Sequence, residues 1–171
     1  MDFDFTSEQT QLKESVDRFL ATKYASLEAR EAMRKHSEGF DPAIWQGYAD
    51  LGLLGMPFAE EDGGFGGGPV ETMIAMEAVG RNLALDPYLS CAVLAAKAIR
   101  FGASEAQKET LIGDITEGRL RVSLAYQEPQ ARYDLANVTT LAEVTGTHYA
   151  ISGRKDLVLN GDTADRFIVS A

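Results

Sequence analysis

The sequence predicts an α+β protein: an all-helical N-terminal domain over residues 1–118, followed over 119–171 by the start of a small antiparallel β-barrel or sandwich. Apolar residues recur at helical spacing behind recognisable N-caps as far as Gly118, and beyond it the period shortens to two. The later runs are short and separated by turn residues, the pattern of an all-β unit. The chain has 171 residues, 45% hydrophobic and 25% charged. A chain of that length buries about two-thirds of its unfolded surface, which excludes a disordered polypeptide.

Thr6 caps the first helix, with Gln9 completing a capping box, and Leu12, Val16, Phe19 and Leu20 form its apolar face. The charge-rich segment Ala25 to His36 reads as a solvated helix or loop, interrupted at Gly39. Asp41-Pro42 opens a helix carrying Ile44, Trp45 and Tyr48 that stops near Gly52. The glycine cluster Gly63 to Gly68 has two readings, a phosphate cradle or a flexible inter-helix loop. The loop is preferred, because Glu60, Glu61 and Asp62 repel an anion and no Lys-Ser or Lys-Thr follows. Pro69 starts a helix with almost no polar face, buried or at a subunit interface. A second apolar helix, Ser90 to Phe101, ends at Gly102, and the two are expected to pack together. Ser104 and Gln107 make another capping box, opening a helix with Leu111, Ile112 and Ile115.

After Gly118, residues 119–126 alternate, placing Leu120, Val122, Leu124 and Tyr126 on one strand face. Further strands are expected at Val138 to Val144, His148 to Ser152, Lys155 to Leu159 and Arg166 to Ser170, with turns at Gly146, Gly153 and Asn160-Gly161. The chain ends inside the last strand, as a piece of a longer protein does, or one whose barrel is completed by residues outside it.

Composition excludes several functions. A formal charge of -10 makes nucleic acid and anionic membranes poor partners. One cysteine, Cys91, and two distant histidines make no metal site. The run Tyr88 to Phe101, broken by Lys97 and Arg100, is shorter than the ~20 residues of a membrane span. Met1 to Phe5 is acidic and unlike a secretory leader. A cytoplasmic protein is expected.

Several segments, in order, resemble the acyl-CoA dehydrogenase family over essentially the whole chain. They are Leu51 to Pro57 with Glu60 to Gly66, Phe101 to Lys108, Glu128-Pro129 with Asp134, and Gly153 to Lys155 through Asn160-Gly161-Asp162 and Ala164-Asp165. The resemblance implies a helical domain, a middle β domain and a C-terminal four-helix domain, of which this chain holds the first and much of the second. It implies FAD as cofactor and an acyl-CoA thioester as substrate. A carboxylate removes the α proton while the β hydrogen leaves as hydride to the flavin. That glutamate lies in the family's C-terminal domain, so no residue here is expected to be catalytic and the chain alone is expected to be inactive.

By the same resemblance the flavin side is lined by Leu124, Tyr126, Gln127, Leu157 and Leu159, and the substrate side by Arg132 and Tyr133. Where the family has Thr-Glu-Pro-Gly-Ala-Gly-Ser-Asp, this chain has Gln127 to Asp134, and Leu157 and Leu159 replace a Trp and a Thr. Glutamine still donates and accepts hydrogen bonds. Arg132 and Tyr133 fill space that a fatty acyl chain uses, which argues against an ordinary fatty acyl-CoA; a bulky or dicarboxylic acyl group is the expectation. Arg132, Arg154 and Lys155 either attract CoA phosphates or are solvated counter-charges, and Leu157 and Leu159 are either coenzyme contacts or core. The departures resemble small subunits of heteromeric, pimeloyl-CoA-type dehydrogenases. The expectation is an FAD-dependent dehydrogenase polypeptide in a homo- or hetero-oligomer, a dimer or tetramer; the alternative is a non-catalytic structural subunit of such an assembly.

Overall fold

The computed structural model describes residues 4–171; Met1 to Phe3, part of the acidic start noted above, lie outside the described residues. Helix α1 (Ser7–Lys23) begins where expected: Gln9 N–H donates to Thr6 Oγ1 at 3.2 Å and Thr6 N–H to Gln9 Oε1 at 3.0 Å. Val16 and Leu20 bury in the core, with Leu12 and Phe19 packed against it. Helix α2 (Leu27–Arg34), capped by Ser26, buries no residue, as its charge-rich sequence implies. Helix α3 (Pro42–Asp50) takes its cap from Asp41 and buries Ile44, Trp45 and Tyr48.

The glycine cluster is an inter-helix loop, but a tightly packed one. After a short 3-10 turn, Glu60–Asp62, the chain folds back on residues 55–59. The amides of Gly64, Phe65, Gly66 and Gly67 donate to the carbonyls of Ala59, Gly55, Phe58 and Met56 at 2.8–3.0 Å. Those amides are committed to backbone, so they form no anion cradle. A Cβ on Gly64 would lie 2.4 Å from the Phe58 carbonyl oxygen, and one on Gly67 2.3 Å from Met56 Cγ. Glycine is required here by close approach of two backbone segments.

Helix α4 (Pro69–Arg81) packs against α1, and the expected pairing of the two apolar helices is not its main contact. Ile74, Ala75 and Ala78 bury, whereas Val70 and Met73 remain exposed. A charged seam of Lys13, Asp17, Glu77 and Arg81 runs along the α1–α4 edge. The second apolar segment starts as a π-helical turn, Leu89–Ala95, and continues as α5 (Ala96–Gly102). Its principal partner is the first strand. Helix α6 (Glu105–Thr116) carries the second capping box, with Ile112 and Ile115 buried. Tyr48 and Tyr88 stack at the centre with ring centroids 5.4 Å apart, and Phe40, Trp45 and Phe58 complete the aromatic core.

Strand β1 (Val122–Ala125) is buried along both faces, including Ser123, so the expected one-sided alternation does not hold. It lies against the π-helical turn, and on the face the pattern left polar Ser123 Oγ donates to the Leu159 carbonyl at 2.9 Å. β2 (Leu141–Thr145) and β3 (His148–Ser152) form an antiparallel hairpin turned at Gly146 (φ +63°). β4 (Arg166–Val169) pairs with β1 in parallel, Val122 opposite Arg166 and Ala125 opposite Val169. That pairing corrects the all-antiparallel expectation; residues 126–165 supply the long crossover a parallel pair needs. Lys155 to Leu159 is not a strand, because Leu157 (φ +53°) and Asn160 (φ +52°) turn left-handed and break the extended run. Among the described residues no helix is long and apolar enough to cross a membrane.

Candidate functional site

The site forms where β1 ends. Tyr126 and Gln127 leave the strand, and the Gln127 carbonyl accepts the Asp156 N–H at 2.9 Å, so residues 153–158 run alongside. Glu128 then turns inward and is only 1% exposed. It accepts from the amides and hydroxyls of Thr139 and Thr140 at 2.5–3.0 Å, from Gln130 Nε2 at 2.6 Å and from Lys155 Nζ at 2.6 Å. The Lys155 ammonium and the threonine donors hold its carboxyl far below the usual carboxylate range. Lys155 also donates to Ser170 Oγ at 2.8 Å, and Ser170 donates to the Tyr126 carbonyl at 3.4 Å. Four stretches of chain are thereby tied to one buried carboxylate.

Two contiguous grooves open beside this node. One, of about 330 Å³, is lined by Tyr126, Gln127, Arg132, Tyr133 and Leu135. The other, of about 630 Å³, is lined by Gln127, Glu128, Pro129, Arg132, Arg154, Asp156 and Leu157. Gln127 and Arg132 are common to both. Of the residues singled out in the sequence, Tyr126, Gln127, Arg132, Tyr133 and Leu157 therefore meet. Leu124 and Leu159 line neither groove: Leu124 sits within β1, and the Leu159 carbonyl is taken up by Ser123 Oγ at 2.9 Å.

The core reading of the two leucines fails, since Leu157 is 77% and Leu159 46% exposed. Lys155 is not a phosphate-facing cation either; it is buried in its pair with Glu128. Arg154 is exposed but engaged with Asp156 at 2.7 Å. Tyr133 is fully exposed, beside Arg132 in a left-handed conformation (φ +49°). The sequence reading missed Glu128, Lys155, Thr139 and Thr140 as a unit, because their spacing follows no local period. Among the described residues no group of three or more His, Cys, Asp and Glu side chains is gathered to hold a metal ion.

The helical assembly running into a strand pair is a fold shared with known proteins. Residues 6–119 match the sequence profile of the acyl-CoA dehydrogenase N-terminal domain. The chain belongs to the acyl-CoA dehydrogenase family. It is 30% identical to a probable acyl-CoA dehydrogenase, YngJ, of Bacillus subtilis, over all of this chain and 45% of that protein. The chain thus spans less than half the length of that curated relative. The ChsE4–ChsE5 complex of Mycobacterium tuberculosis superposes with a TM-score of 0.82 at 29% identity, covering 98% of this chain and 44% of the other. A Bacillus anthracis acyl-CoA dehydrogenase complexed with FAD superposes with a TM-score of 0.84 at 26% identity, covering 97% and 29%.

Proposed function

We propose that this chain is part of an FAD-dependent acyl-CoA dehydrogenase, working in the cytoplasm as a homo- or hetero-oligomer. In this reading residues 1–118 form its helical unit and 119–171 begin the β unit that walls the coenzyme cleft. The observation that carries the reading is the convergence of Tyr126, Gln127, Arg132 and Leu157 on adjoining grooves at the end of β1.

The residues present fit a flavin. A flat ring needs an apolar face and a hydrogen-bonding edge; Leu157 offers the first, and the half-buried Gln127 amide both donates and accepts. The larger groove, about 630 Å³, is within the range of cofactor sites. When bound, FAD supplies the hydride acceptor for desaturation of an acyl-CoA thioester. Gln127 orients the ring's polar edge, and Glu128 holds Gln127 in place. Arg132 and Tyr133 line the smaller groove and narrow it against an ordinary fatty acyl chain, and the Arg132 guanidinium suits the distal carboxylate of a dicarboxylic acyl group.

Glu128 is no general base: it is kept ionised and its lone pairs are fully engaged, so it has no affinity for a substrate proton. In this reading the proton acceptor is supplied by a region outside these residues, and the 171-residue chain alone is expected to be inactive. Incubation with FAD followed by gel filtration tests the binding: the yellow flavin band co-elutes with protein, and its absence, alone and with a co-expressed partner, removes the reading. Reduction of a ferrocenium dye by this chain and any acyl-CoA would contradict the inactivity.

Two observations favour a second reading, a structural subunit without a working site. Leu157 and Leu159 bring no side-chain hydrogen bond to a coenzyme, and Tyr133 crowds the acyl groove. A partner-bound complex whose flavin is held only by the partner selects this reading.

A further inference from the structure

Residues 157–160 stand out for their backbone. Leu157 (φ +53°) and Asn160 (φ +52°) both adopt the left-handed conformation, which an asparagine tolerates and a leucine does not favour. Such a conformation persists only where the surroundings over-determine it. Within the turn, Gly161 N–H donates to the Val158 carbonyl at 3.1 Å and Thr163 N–H to the Asn160 carbonyl at 3.2 Å.

Two further bonds come from distant parts of the chain. Ser123 Oγ on β1 donates to the Leu159 carbonyl at 2.9 Å. Ser90 Oγ, in the π-helical turn, lies 2.9 Å from Asn160 Oδ1 and 3.0 Å from the Pro87 carbonyl, one proton with two acceptors. Both serines are almost wholly buried, at 1% and 2% exposure, in otherwise apolar surroundings where a hydroxyl without a partner would be costly. π-helical turns themselves are uncommon and often sit at functional sites. Here the turn grips two things at once: Ser90 reaches Asn160, and the neighbouring Cys91 Sγ accepts the Val122 N–H of β1 at 3.4 Å.

We propose that Ser90 and Ser123 are positioning residues that clamp the Leu157–Asn160 turn, fixing Leu157 on the groove wall. The clamp is a property of the fold; its consequence for coenzyme binding rests on the flavin reading above. A loosened turn lets Leu157 swing from the groove, so the wall is no longer formed in advance and binding weakens.

The test uses the 171-residue protein with Ser90→Ala, Ser123→Ala and Asn160→Gly, the last removing the amide while keeping the left-handed backbone accessible. Amide hydrogen exchange of residues 155–163 is followed beside that of α1 and α4, with FAD titrated in parallel. Loss of one hydrogen bond is expected to speed exchange in 155–163 about tenfold and to raise the FAD dissociation constant by a similar factor, leaving the helices unchanged. Ser90→Ala and Asn160→Gly combined should do no more than either alone. Exchange in 155–163 that is unchanged, or that rises only with the whole chain, overturns the clamp. Faster exchange in a protein whose FAD affinity is unaltered overturns the link to the coenzyme. Wild-type protein that takes up no FAD, with the exchange response intact, overturns the flavin reading and leaves the clamp standing.

Discussion

Six donors converge on Glu128, more than a carboxylate's lone pairs strictly require, and Lys155 is buried with it. Replacing Lys155 by Met leaves a buried charge without its counter-ion, and the midpoint of thermal unfolding is expected to fall by on the order of 10 °C. Glu128→Gln is expected to loosen Gln127 as well, seen as weaker FAD uptake by fluorescence titration. The other buried carboxylate behaves oppositely. Burial pushes the Asp86 carboxyl up to about 6, even though it accepts the Tyr24 hydroxyl at 2.8 Å. A folded value raised above the unfolded one means that stability from this group is complete below pH ~4 and lost as pH rises through 6. Glu128 is lowered, so its contribution is present above the unfolded value near pH ~4 and lost on further acidification. Thermal stability measured against pH should therefore rise from pH 7 to about 5 and collapse below about 4. In Asp86→Asn the rise between pH 7 and 5 should disappear, and a persisting rise would reassign it.

Among the elements, the glycine loop shows how strongly a short connection can be specified. Gly64 faces a backbone carbonyl that cannot move aside, so Gly64→Ala is expected to cost roughly 2–3 kcal/mol by denaturant titration, through overpacking. Gly102, the last residue of α5, has no atom within 4 Å of the point where an alanine methyl would stand, so Gly102→Ala is expected to be neutral or slightly stabilising. A similar loss in both would mean that propensity and not close contact governs the loop. The two apolar helices take different partners: α4 packs on α1 beside a charged seam, while the π-helical turn meets β1 through Cys91, whose thiol burial pushes up to about 11.

Across the whole molecule, packing is uneven. The core extends from α1 through the aromatic cluster to β1, but β2 and β3 are exposed along their entire length. From the register, Ala142, Val144, Tyr149 and Ile151 share one face, an apolar surface on a two-stranded sheet that is marginal by itself. Amides of residues 141–152 are expected to exchange far faster than those of β1, by hydrogen-exchange mass spectrometry. Val144→Lys should shift stability by no more than about 0.5 kcal/mol, since the side chain is already in water. A larger loss would show that this face is covered in solution.

The sequence by itself determined what local chemistry can determine. Both capping boxes, the Asp41-Pro42 start, the stops at glycines and the His148 to Ser152 strand depend on residues a few positions apart, and their signals are readable along the chain. The segments that resemble the family singled out Tyr126, Gln127, Arg132, Tyr133 and Leu157, which line the two adjoining grooves, and also Leu124 and Leu159, which line neither. The tertiary structure alone decided the rest: the parallel partner of β1, the burial of Ser123, the interruption at Leu157, the closed glycine loop and the Glu128–Lys155 pair. The β1–β4 pair, the Ser123–Leu159 bond and the Glu128–Lys155 pair join residues far apart in sequence, and the glycine loop closes over five to eleven residues with no regular period; in each, partners and burial are set by which segments meet.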